Sequence, residues 1–104
     1  MAEESSEKAY QAIEAARTSG KIKKGVNEVT KAVEKGLAKL VVVAKDVSPA
    51  EITMHLPLLC KEKEVKLVEV PSKEELGAAA GLSVSTVAVA IVDEGKAKGI
   101  IESL

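Results

Sequence analysis

The segment Lys23-Lys24-Gly25-Val26-Asn27-Glu28-Val29-Thr30-Lys31 holds the residue types and spacing most able to do chemistry in this chain. Asn27 and Lys31 stand four apart, and Glu28 and Lys31 three apart, so a helix opening at Gly25 puts them on one face at its first turn. The free backbone N–H groups of that turn and the positive end of the helix dipole attract phosphate, and Lys23 and Lys24 strengthen the field. Asn carries both a donor and an acceptor. Glu only accepts, and it can receive hydrogen bonds from base amino groups such as that of guanine. A carboxylate on a phosphate-binding face is unfavourable unless it meets a donor, so Glu28 points to base recognition. The same spacing also fits an amphipathic helix with an ordinary surface Glu28–Lys31 pair, and the residues alone leave both readings open.

Catalytic chemistry finds little material. There is one His and one Cys, and no motif joins them. His55 stands in a helical stretch before Pro57, where a structural or surface role suits it better than that of a general base. Cys60 lies among Leu56, Leu58 and Leu59 and reads as a buried, inert thiol. One cysteine forms neither an intramolecular disulfide nor, alone, a metal cluster. Glu3-Glu4 and Glu74-Glu75 are sequence neighbours, which do not face each other on a helix. Gly20-Lys21 lacks the upstream Gly and the Ser/Thr of a phosphate loop. Gly77-Ala78-Ala79-Ala80-Gly81 reads as close helix packing. We expect no enzyme activity, no cofactor and no metal.

Charge is unevenly spread. Between Arg17 and Lys39 seven basic residues meet two acidic ones, a net +5, while the remainder has eight basic and fourteen acidic residues, a net −6. A basic region on an acidic body fits a localised anionic partner; a solvated Lys-rich surface is the plainer reading. Tyr10 is the only aromatic residue, so a stacking platform for single-stranded bases is nearly excluded. With 46% hydrophobic and 30% charged residues, the composition argues against disorder. No apolar run reaches the roughly 20 residues of a bilayer span. The acidic, polar start of the chain lacks the order of a signal peptide. These features fit a cytoplasmic protein with one domain over 1–104.

The elements that must position these residues follow from periodicity and punctuation. Ala9, Tyr10, Ala12, Ile13 and Ala16 predict a helix over 5–18, with Ser6 as its cap and Gly20 as its end. Lys21–Lys24 is a short strand or a basic turn. Val26, Val29, Ala32 and Val33 give the second helix a buried face up to about Gly36. Leu40–Ala44 is apolar throughout, as in a strand covered on both faces. Ser48-Pro49-Ala50-Glu51 is a capping box opening a third helix, which Pro57 should break or kink near His55–Leu56 before it continues to about Lys63. A strand over 66–70 precedes a second capping box, Ser72-Lys73-Glu74-Glu75, whose helix stops near Gly81. Residues 82–85 read as a loop, 86–92 as a strand and 96–104 as a short final helix. Helices alternating with fully apolar strands predict an α/β fold, a three-layer α/β/α sandwich around a mixed central sheet.

The run from Lys23 to Val33 resembles the signature of the ribosomal L7Ae family, which binds kink-turn RNA. The likeness continues through Gly36-Leu37-Ala38-Lys39-Leu40-Val41, His55-Leu56-Pro57-Leu58-Leu59-Cys60 and Pro71-Ser72-Lys73-Glu74-Glu75-Leu76-Gly77, and covers about residues 8–100. The first and third blocks together are specific. The resemblance implies an α/β/α sandwich that binds a duplex bent sharply at a short bulge beside tandem sheared G·A pairs. An ordinary A-form major groove is too narrow for side chains to read, and the kink opens it.

The resemblance places Asn27, Glu28 and Lys31 at the G·A pairs, lets the backbone approach closely at Gly25 and puts Lys24, beside Lys23, at phosphate. It puts a flipped-out base in a small pocket walled by Ser48, Ile52, Lys73, Val84 and Val87, with Leu82 and Ser83 in the adjoining loop. Without RNA, Ser48 reads as a cap, Ile52 and Val87 as core, and Lys73 as a solvated helix residue. Four positions depart from the family's pattern: that of Ser48 is commonly acidic in the family, that of Ser83 is often Glu in archaeal members, and Val26 and Val29 stand where many archaeal members have Thr. The chain also ends at Leu104, short of the longer final helix of many relatives. The implied partners are structured RNA in ribosomal, guide or tRNA-processing particles, and core proteins of box C/D guide ribonucleoproteins. We expect a monomer when free and no membrane partner.

Overall fold

Alternation along one strand organises the molecule. In β2 (Leu40–Ala44) every residue is buried. Leu40, Val42 and Ala44 enter one apolar cluster, and Val41 and Val43 enter another on the opposite side. A strand buried on both faces needs a layer on each, and this chain supplies both.

The computed structural model describes residues 2–44 and 51–102. In chain order these form α1 (Ala2–Ser19), β1 (Lys21–Lys24), α2 (Val26–Glu34), β2, α3 (Glu51–Glu62), β3 (Lys66–Val70), α4 (Lys73–Ala79), β4 (Ala88–Asp93), a 3-10 turn (Gly95–Ala97) and α5 (Lys98–Glu102). The sheet order is β1-β4-β2-β3. β4 pairs antiparallel with both β1 and β2, and β2 pairs parallel with β3, so the sheet is mixed as expected. On one face Ala9, Ala12, Ile13 and Ala16 of α1 and Leu76 and Ala79 of α4 pack with Val70, Val89 and Ile91. On the other, Val29, Ala32 and Val33 of α2 and Leu56 and Cys60 of α3 pack with Ala88 and Ala90. No helix of the described residues is long and apolar enough to cross a membrane.

Four expectations need correction. α1 begins at Ala2, so Ser6 lies inside it and is not its cap. α3 runs unbroken through Pro57. A proline inside a helix costs roughly 3 kcal/mol, but full burial of Leu56 and Cys60, one turn apart, is worth a comparable amount. The last strand starts at Ala88 rather than Thr86, because the Thr86 N–H is drawn to the Lys73 carbonyl of α4 (3.2 Å). The final helix begins as the 3-10 turn and becomes α-helical only at Lys98. The capping box at Ser48 lies outside the described residues.

The helix ends follow the chain's punctuation. α2 closes with Gly36 N–H to Val33 O (3.0 Å) and Leu37 N–H to Ala32 O (2.9 Å), with Gly36 at φ +72°. α4 opens with the Ser72 hydroxyl accepting from the Glu75 N–H (3.2 Å). It closes with Gly81 N–H to Ala78 O (3.0 Å) and Leu82 N–H to Gly77 O (2.9 Å). Tyr10 is half-buried, and its hydroxyl donates to the Ser72 carbonyl (3.4 Å), so the sole aromatic ring braces α1 against the start of α4.

Candidate nucleic-acid interface

The start of α2 is built to stay open. Gly25 is its N-cap, at φ +95° and ψ 150°, a region essentially reserved for glycine. Its N–H donates to the Ala88 carbonyl (2.9 Å) and its carbonyl accepts from Val29 N–H (2.9 Å), so the turn is fixed to the head of β4. No side chain caps the helix. A Cβ at Gly25 would meet nothing within 4 Å. Glycine is needed here for its backbone angles, and the space before it is free for another molecule. The first N–H groups of an α-helix have no partner within it, so an open helix start can hold an anion.

Around this opening the side chains sort by face. Val29, Ala32 and Val33 are buried and Val26 is half-buried, while Asn27, Glu28 and Lys31 are exposed together. Lys23 and Lys24 lead into the turn from β1, an edge strand, and both are exposed. The structure therefore brings together Lys23, Lys24, Gly25, Asn27, Glu28 and Lys31, the group the sequence singled out.

The chain matches the model of the ribosomal protein L7Ae/L30e/S12e/Gadd45 family over residues 7–101. It belongs to that family. It is also similar to a solved structure described as the Giardia lamblia 15.5kD RNA binding protein, with a TM-score of 0.90 at 35% identity. The match covers 96% of this chain and 83% of that one.

In this member of the family the second group of site residues is less unified. Leu82, Ser83 and Val84 line a surface cleft of about 360 Å³ together with Ser85 and with Glu74 and Ala78 of α4. Val84 is 67% exposed, unusual for a valine. Val87 does not line that cleft; it is half-buried and packs, like Val26, on the α2/α3 cluster. Lys73 is half-buried, and its carbonyl holds Thr86 N–H. Ser48 lies outside the described residues, and of Ile52 only its place in α3 is described. Sequence reading missed Glu74 and Ser85. The local pattern assigns Glu74 to a capping box, although it lies one helical turn from Ala78 and so on the same side of α4.

Cys60 is buried, and burial pushes its thiol above the ordinary value, as expected of an inert core cysteine. Among the described residues no group of three or more His, Cys, Asp or Glu side chains could hold a metal ion.

Proposed function

We propose that this protein binds kink-turn RNA and holds it in its bent form. The observation that carries this reading is the uncapped, glycine-opened start of α2 with Asn27, Glu28 and Lys31 exposed on one face beside Lys23 and Lys24. Family membership and the similarity to a protein described as RNA-binding support it. The family is one of RNA-binding proteins, not enzymes. In this reading the N–H groups of the first turn and Lys24 hold phosphates, while Asn27, Glu28 and Lys31 read the edges of the sheared G·A pairs. Residues 82–87 meet the unpaired nucleotide. The mechanism is a population shift: the protein binds the kinked conformer better than the extended one and so raises its share. We further propose that it serves as a large-subunit ribosomal protein and nucleates box C/D guide ribonucleoproteins.

The test is binding near physiological salt to a kink-turn hairpin and to a control whose G·A pairs are changed to Watson–Crick pairs. Tight binding to the first and loss on the second is the expected result. Equal binding to both would reduce the basic region to a non-specific phosphate patch.

A second reading, a protein-interaction module whose RNA binding depends on a partner, has its own observation. Leu58 of α3 is 70% exposed and lines a cleft of about 290 Å³ with Leu59, Glu34 and Glu62. This reading expects weak binding to isolated RNA that a core protein of the particle restores.

A further inference from the structure

We propose that Gly77 is a positioning residue: by lacking a side chain it seats the loop after α4 directly on that helix, and so sets the selectivity for the unpaired nucleotide. This rests on the reading above that residues 82–87 meet that nucleotide. Gly77 is buried in the middle of α4 and is absent from the residues with positive φ, so an alanine would suit its backbone. Alanine is also the better helix former. The reason for glycine therefore lies in what faces it.

A Cβ at Gly77 would lie 2.3 Å from the Val84 carbonyl oxygen, 3.0 Å from Ser85 Cα and 3.2 Å from Thr86 N. All three are backbone atoms, and none can rotate aside. Two hydrogen bonds hold the loop at either end of this contact, Leu82 N–H to Gly77 O (2.9 Å) and Thr86 N–H to Lys73 O (3.2 Å). The loop thus runs back along α4 and is pinned before, at and after Gly77. Restoring ordinary contact with a methyl group would lift Val84–Thr86 by on the order of 1 Å.

The start of α2 would not follow. Gly25 is tied to Ala88, and Ala88 is held in the sheet by its pairing with Val43. β1 is held along β4 from Lys21 to Lys24. Past Thr86 the chain is fixed by the ladder; before it, the chain is fixed by α4. Gly77 therefore controls the separation between the exposed Val84 and the Asn27–Lys31 face, and does so without touching RNA.

The test compares wild type and Gly77→Ala on three RNAs: the kink-turn hairpin, the same hairpin with an abasic site at the unpaired nucleotide, and the G·A-to-Watson–Crick control. Wild type should prefer the intact hairpin over the abasic one by about tenfold, the scale of one base contact. In Gly77→Ala that preference should fall to about twofold while the dependence on the G·A pairs persists. An unchanged preference in Gly77→Ala, an equal loss on intact and abasic RNA, or no preference in wild type would overturn the proposal. If Gly77→Ala does not fold, by circular dichroism, Val84→Gly is measured on the same pair. A collapsed preference there supports loop selectivity, and an unchanged one overturns it. Failure of the kink-turn reading itself shows separately, as equal wild-type binding to the hairpin and the Watson–Crick control.

Discussion

In the proposed reading, base recognition turns on Glu28. It stands exposed at the first turn of α2, where a carboxylate is favourable to the dipole but repels phosphate, and the proposed reading has it accept from a base amino group. Hydrogen bonds to a charged group contribute about 1.5–3 kcal/mol. Glu28→Ala should therefore weaken binding to a kink-turn hairpin by roughly tenfold or more, read by fluorescence titration, with the thermal unfolding midpoint unchanged. Near-wild-type affinity would remove Glu28 from the interface. The whole α2 group was legible in the sequence because it lies within one turn of one helix, where spacing alone fixes which side chains share a face. The cleft holding Glu74 and Ser85 was not. It forms where a loop folds back on α4 at Gly77, a contact between segments whose closeness no local pattern encodes.

Elements were legible where apolar period and capping agree. The strands at 40–44 and 66–70, and α2 and α4 with their glycine ends, stand where patterning put them. Two of the departures share a cause: tertiary packing overrode a local signal. At Pro57 a buried face carried α3 past a helix breaker, and at Thr86 a hydrogen bond to α4 shortened a strand. The end of α3 shows a local cost accepted in the fold. Glu64 takes φ 58° where α2 and α4 use glycine, with Val65 N–H bonding to Cys60 O (2.8 Å). A left-handed non-glycine residue costs about 1–2 kcal/mol, so Glu64→Gly should raise stability by about 1 kcal/mol in urea unfolding. A loss of stability would contradict this account of the cap. Cys60, buried on the same helix, adds a pH dependence. Its thiol ionises above the ordinary 9.0 when folded, so its contribution is complete below about pH 9 and is lost as pH rises through the folded value. Stability of Cys60→Ala should therefore fall less steeply than wild type from neutral to alkaline pH. Parallel curves would show that the burial of the thiol is not felt.

At the scale of the molecule, charge and shape divide the work. A chain of net charge −1 carries one basic stretch, from Arg17 to Lys39, on an otherwise acidic body, so attraction to RNA should be local and salt-dependent. Lys24→Ala should weaken binding to all duplex RNAs alike and reduce the slope of log K against log salt by about 1, measured from about 50 to 200 mM salt. A selective loss on kink-turn RNA would instead make Lys24 a reader of structure. The mixed sheet was legible as a class, because a fully apolar β2 demands a layer on each face. The strand order β1-β4-β2-β3 was not, since pairing partners lie far apart in the chain. That order sets the head of β4 against the start of α2 and so makes one face from two distant segments. Energy transfer between dyes on the two arms of a kink-turn RNA, titrated with the protein in buffer without divalent ions, reads the bending itself. Transfer rising to a plateau with the kink-turn, and staying flat when its G·A pairs are made Watson–Crick, is the expected result. Saturable binding with no rise in transfer would contradict it, because the protein would then hold RNA without selecting its bent form.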